Sequence, residues 1–164
     1  DYMFTNLTPE QLWEQFKDDK GFWDTTAVHM PSGSSIERYL AVDDVGTVVN
    51  PLTLAGQIHG GIVQGAGQAL MENICYNPEN GQMLSGSFLD YAMPRADDFC
   101  AFQIETNSVP AESNILGIKG AGEAGTTGAL PAIMNAVNHA LRDYGAEELE
   151  MPLTPEKVWK ALNT

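Results

Sequence analysis

Basic residues are scarce in this chain: 8 Lys and Arg stand against 22 Asp and Glu, a formal charge of −14 over 164 residues. So few cations argue against nucleic acid or an anionic membrane as a partner, since both need clustered Lys and Arg. Cysteine is scarcer still. Cys75 and Cys100 sit in no Cys-x-x-Cys or Cys/His spacing, which excludes a disulfide framework and a cysteine-held cluster, and they read as two reduced, buried thiols. His29, His59 and His139 show no metal-ligand spacing either and read as core or surface imidazoles, so no protein-held metal is expected. No apolar run reaches the roughly 18 residues that span a bilayer, and no signal-like apolar start opens the chain. A cytoplasmic location is expected, unless a partner subunit carries an export signal for both.

Glycine, by contrast, is plentiful and concentrated. The segment Ile118-Lys119-Gly120-Ala121-Gly122-Glu123-Ala124-Gly125-Thr126-Thr127-Gly128 sets one carboxylate inside a run of glycines just ahead of an apolar helix. A second dense stretch runs from Gly56 to Gln68. Glycine costs folding entropy wherever it is used without need, so the two stretches suggest backbone surfaces closing on one cofactor. An anionic cofactor would have to be held by backbone N–H groups in so acidic a chain, and the N-terminus of the helix that follows the Glu123 stretch is a natural place for it.

Residues Thr8-Pro9-Glu10 open a short amphipathic helix with Leu12, Trp13 and Phe16 on one face, and Thr154-Pro155-Glu156 repeats the signal near the other end with Trp159. Both read as helices that dock by their Trp; Trp23 reads as a further anchor. Thr26 to Met30 and Ile36 to Val42, joined by Pro31-Ser32-Gly33-Ser34, predict a hairpin. A glycine-rich helix is predicted from about Leu52 to Glu72, with Leu54, Ile58, Ile62, Ala69 and Leu70 as its apolar side. Its glycines cost roughly 1 kcal/mol each relative to Ala, and either a tight crossing with another element or contact with a ligand explains them. A turn at Asn77 to Gly81, short strands near Met83–Leu84 and Phe102–Thr106, and an irregular segment from Tyr91 to Asp97 follow. The last main helix is predicted from Ala129 to Tyr144. The paired Asp43-Asp44 and Asp97-Asp98 could bind a cation but read more simply as turn caps. The fold class is α+β, with a small antiparallel sheet containing the hairpin, two main helices, one of them glycine-rich, and short terminal Trp helices. Residues 26–164 form one domain and residues 1–25 an N-terminal extension.

Taken together, GIVQGAGQAL at 61–70, GSFLDYAMPRADD at 86–98, GIKGAGEAGTTGALPAIMNAV at 117–137 and MPLTPEKVWKAL at 151–162 resemble the C-terminal part of the large subunit of the xanthine dehydrogenase, aldehyde oxidase and carbon monoxide dehydrogenase family of molybdenum hydroxylases. The resemblance begins near Ala27, leaves residues 1–25 outside the pattern, and is nearer to bacterial aldehyde oxidase and carbon monoxide dehydrogenase-like large chains than to animal xanthine oxidases. It implies an oxidoreductase that hydroxylates aldehydes or N-heterocycles, or oxidises carbon monoxide, at a molybdenum held by molybdopterin, in the cytosine dinucleotide form. Glu123 resembles the family's active-site Glu beside the metal, where the implied role is general base; a base of modest pKa suffices because the ion already acidifies the attacking group. Gln64, Gly65 and Gly67 in the Gly56–Gln68 stretch, and Lys119, Gly120, Ala121, Gly122, Gly125 and Thr126 in the Ile118–Gly128 stretch, are implied to contact the cofactor.

The family's large subunit also brings an N-terminal half with much of the cofactor cradle, and its electrons leave through iron-sulfur and flavin subunits or domains, for which this chain has no cysteine pattern. The implied partners are the remainder of a large subunit and those subunits, and the chain alone should turn over no substrate, whether or not it holds the cofactor. The alternative is a stand-alone binding or assembly module, with a homo-oligomer that exchanges Trp helices as one form of it, in which Glu123 is a relic. Extensive exposed apolar surface would favour the first reading; a smooth polar surface would favour the second.

Overall fold

The computed structural model describes residues 25–29, 36–145 and 149–163. Strands β1 (Thr25–His29) and β2 (Arg38–Asp43) form the expected antiparallel hairpin, in register from Thr25 opposite Val42 to His29 opposite Arg38. Strand β3 (Phe102–Thr106) lies on the other edge of β2, with Tyr39 opposite Phe102 and Ala41 opposite Ile104. That second pairing is parallel, which corrects the expectation of a wholly antiparallel sheet. The cause is the helix between the two strands: it carries the chain back to the end from which β2 set out, so β3 enters in the same direction. The class remains α+β.

Helix α1 (Pro51–Leu70) begins where the sequence places it, because the Asn50 side chain accepts hydrogen bonds from the N–H groups of Leu52 (3.1 Å) and Thr53 (3.2 Å) and Pro51 fills the first helical position. Its Ile58, Ile62, Ala66 and Ala69 are fully buried. Helix α2 (Ala124–Leu141) buries Ala129, Ala132, Ile133, Ala136, Val137 and Leu141, a stripe at helical spacing. These stripes meet the sheet face carrying Tyr39 and Ala41, with Phe102 and Ile104 packed at its margin. Covering each of Ile58, Ile62 and Ile133 contributes about 1.5–3 kcal/mol, so the core of the domain is this helix pair on a small sheet.

Helix α2 starts five residues before the expected Ala129, takes in Gly125 and Gly128, and continues through Pro131. Intrinsic propensity disfavours such a start, and packing against α1 overrides it. Helix α3 (Pro155–Asn163) follows the Thr-Pro signal as expected, the Thr154 hydroxyl accepting from the Lys157 N–H at 3.3 Å. It does not dock by Trp159, which is 63% exposed; Leu153, just before the helix, is buried instead, and its N–H donates to the Ala69 carbonyl at 2.7 Å. The predicted strand at Met83–Leu84 is reduced to one bridge between Tyr76 and Met83 across the Asn77 to Gly81 turn. The N-terminal Trp helix, Trp13 and Trp23 lie outside the described residues. No helix among the described residues is long and apolar enough to cross a membrane.

Candidate cofactor-binding site

The glycines of α1 divide into two sets by what surrounds them. A Cβ on Gly61 would stand 2.9 Å from the Thr126 nitrogen, and one on Gly65 would stand 2.7 Å from the Ala129 Cβ. Reciprocally, a Cβ on Gly125 would run into the Ile58 carbonyl oxygen. Residues rising along α1 therefore meet residues rising along α2, and the helices run the same way at backbone contact. The Thr126 hydroxyl seals this crossing by donating to the Gly61 carbonyl at 3.0 Å. Gly67 is close-packed too, against Glu72 and Pro94. Gly56, Gly60 and Gly120, in contrast, have nothing within 4 Å of the space a Cβ would take.

Glu123 stands at this crossing as the N-cap residue of α2, and it is exposed. Its side chain makes no capping hydrogen bond; only its carbonyl is used, accepting from the Thr127 N–H and from the Thr127 hydroxyl, both at 3.1 Å. The first turn of α2 contains no other acidic residue, so the positive end of the helix has no side-chain cap and, besides the N-cap Glu123 itself, no acidic side chain. Gln57 lies beside it, its amide nitrogen 3.8 Å from where a Gly122 Cβ would stand. Gln64 is exposed on α1, seven residues or about 10 Å along the axis from Gln57 and four from Gly60, which sets all three on one open face.

Of the residues expected to contact a cofactor, Glu123, Gln64, Gly120 and Gly122 are thus exposed, and Ala121 is half-buried between the two glycines. Gly65, Gly67 and Gly125 are buried in protein contacts, and Thr126 is engaged at the crossing. The Lys119 ammonium forms an ion pair with Asp44. That carboxylate also accepts from the Gly46 N–H (2.9 Å) and the Val109 N–H (3.0 Å). Partial burial works to raise the Asp44 pKa, but the Lys119, Val109 and Gly46 donors and the Lys119 charge outweigh it and hold the carboxyl below its usual value. Asp44 is therefore an anchor for distant backbone, a wider role than the turn cap read from sequence. Asp98 is a local cap, accepting from the Arg95 N–H at 2.7 Å. Sequence reasoning missed Gln57, although its position one turn before Gly60 and Gly61 was available as a signal.

A parallel pair of helices in backbone contact thus sets an uncapped helix N-terminus beside an open glycine face. Residues 33–100 match the family described as "Molybdopterin cofactor-binding domain". The chain is 41% identical over 126 residues to the nicotine 6-hydroxylase large subunit of Paenarthrobacter nicotinovorans, covering 77% of this chain and 15% of that protein. It is 34% identical over 123 residues to the carbon monoxide dehydrogenase large chain of Afipia carboxidovorans, covering 75% and 15% respectively. Quinoline 2-oxidoreductase from Pseudomonas putida 86 superposes with a TM-score of 0.74 at 34% identity, over 79% of this chain and 16% of that one. The chain belongs to the molybdenum hydroxylases, as a portion of their large subunit. It spans about one sixth of the length of the relatives it matches.

Proposed function

We propose that this chain is the molybdenum-cofactor-binding portion of a molybdenum hydroxylase and that Glu123 is the general base. The observation that carries the reading is a carboxylate at a helix N-terminus that caps nothing of its own. Such a group is available to take a proton, while the free N–H groups behind it favour an anion. The fit to molybdopterin rests on the donor set: open backbone at Gly56, Gly60, Gly120 and Gly122, with the amides of Gln57 and Gln64 on the same side. When bound, that cofactor would supply the redox chemistry and a Lewis acid. This chain's part would be to hold the anionic group at the α2 N-terminus, to orient it by Gln64, and to accept the proton of the attacking group on the Glu123 carboxylate.

The reaction class is oxidative hydroxylation of aldehydes or N-heterocycles, or oxidation of carbon monoxide. Nicotine and quinoline, in the names of relatives, put N-heterocycles first for screening. The pterin is expected in the cytosine dinucleotide form. The domain is taken as residues 26–164, completed by the remainder of a large subunit and by iron-sulfur and flavin subunits, and is inactive alone. What supports completion by further polypeptide is apolar surface: Phe88 is 82% exposed, Leu89 94% and Ile115 101%. A self-sufficient assembly module would not leave such side chains in water.

Metal and pterin analysis, on protein purified from a host that makes molybdenum cofactor, tests the reading. Stoichiometric molybdenum and pterin in the assembled enzyme, with turnover abolished by Glu123→Gln and cofactor retained, is the expected result. Full turnover by Glu123→Gln would overturn the assignment of the base, and a folded assembly that never takes up pterin would overturn the cofactor assignment.

A further inference from the structure

We propose that Asp44 and Lys119 are a positioning pair for Glu123, a role that rests on reading Glu123 as the base and gives the Lys119 ammonium a partner in the protein rather than in the cofactor. The loop that delivers Glu123 cannot fix its own shape. Between Lys119 and Glu123 lie only Gly120, Ala121 and Gly122, and both glycines have open space around them or a single 3.8 Å neighbour. Such a loop takes its position from its two ends. One end is the helix crossing at Gly125 against Ile58. The other is a clasp centred on Asp44.

The clasp joins the turn after β2, the loop after β3 and the glycine loop. Asp44 accepts from Gly46 in the first and Val109 in the second, and pairs with the Lys119 ammonium in the third. Backbone bonds run alongside: Lys119 N–H to the Val45 carbonyl at 3.0 Å and Thr47 N–H to the Gly117 carbonyl at 2.9 Å. Asn114 closes the return, its amide donating to the Ile118 carbonyl at 2.9 Å while its oxygen accepts from the Ile118 N–H at 3.1 Å. Gly46 has a φ of +66° and a Cβ there would strike the Gly117 carbonyl, so the approach of the two segments requires glycine at that point. The Asp44 side chain is 12% exposed and that of Lys119 28%, so the pair is shielded from much of the solvent that weakens surface ion pairs. Lys119 is the last clasped residue before the free glycines. Releasing its ammonium loosens one of the two ends that define where the Glu123 carboxylate stands, leaving only the backbone and Asn114 bonds to hold it.

Hydrogen exchange on the chain without cofactor tests this. Asp44→Asn and Lys119→Met should each speed exchange of the hydrogen-bonded amides at 109 and 117–119 by roughly tenfold or more, while amides inside α1 and α2 keep their protection. Lys119→Arg, which restores a cation, should recover most of that protection, and the double variant should open the loop no further than the worse single variant. Unchanged exchange at 117–119 in Lys119→Met would overturn the proposal, as would a uniform acceleration across both helices, which would make the pair a general stabiliser. If Asp44→Asn does not fold, Lys119→Met and Lys119→Arg decide the matter by the same readings. Because no cofactor is involved, this outcome is separable from the turnover test on Glu123→Gln: the clasp can fail with Glu123 still the base, and the reverse.

Discussion

The two faces of α1 use the same residue for opposite reasons. On the inner face Gly61 and Gly65 are buried, and each admits the backbone or Cβ of α2 to a distance that no larger side chain would allow. On the outer face Gly56 and Gly60 meet nothing. At roughly 1 kcal/mol each relative to Ala, the inner pair is explained by the helix crossing and the outer pair is not explained by anything this chain contains. Glycine density in the sequence thus held two signals: one is packing and is resolved within the domain, and the other points outward to whatever the open face is built to receive. Contact with a ligand and a tight crossing were offered as alternatives for one helix, and its two faces divide between them.

The comparison breaks most forcefully at Gly125. Gly125→Ala must push the Ile58 carbonyl and α1 aside, and overpacking at a backbone crossing costs about 1–3 kcal/mol. Gly65→Ala, whose Cβ would sit 2.7 Å from that of Ala129, should fall toward the lower end of the same range. Urea unfolding measures both. A neutral result at Gly125 would mean that the helices can separate freely, and the inner-face explanation would go with it.

How much of this was legible beforehand follows from how local each cause is. The start of α1, the Asn77 to Gly81 turn, β3 and the Thr154-Pro155 helix are set by capping, turn and alternation residues close in sequence, and they fall where those residues put them. The direction of β3 and the early start of α2 depend on partners far along the chain, and no local pattern carried them. Asp44 is the sharpest case: its partners Val109 and Lys119 lie 65 and 75 residues away. The motif around Glu123 was legible, yet the residues that hold it were not.

The next effects concern termini and pH. Helix α1 is capped by Asn50, so Asn50→Ala should cost about 1 kcal/mol, read as a lower urea midpoint with an unchanged slope. Asp44 adds a pH dependence of known sign. Its folded pKa lies below the ordinary 3.8, so its stabilising contribution is complete above that value and is lost as pH falls through the depressed folded value. Wild type should therefore lose stability between about pH 4 and lower pH more steeply than Asp44→Asn does. Parallel acid titrations of the two proteins by circular dichroism check this; identical slopes would mean that the donors around Asp44 do not favour its charged form.

Gly60→Ala acts in the other direction. With open space at Cβ and a helical backbone, it should stabilise the chain by about 0.5–1 kcal/mol. Destabilisation would show that something in this chain already covers the outer face.

The smallest effect is expected at Glu123 itself. A side chain that caps its helix costs about 1 kcal/mol when removed, but the Glu123 carboxylate makes no such bond, and its carbonyl, which does serve α2, survives any substitution. Glu123→Ala should therefore shift the urea midpoint by no more than a few tenths of a kcal/mol, against the full cap cost for Asn50→Ala. Equal losses at the two positions would make Glu123 a structural cap and remove the main reason for assigning it chemistry. A loss at Asn50 alone would leave a carboxylate held at a helix N-terminus by a clasp and a crossing, with no part in the stability of the fold that holds it.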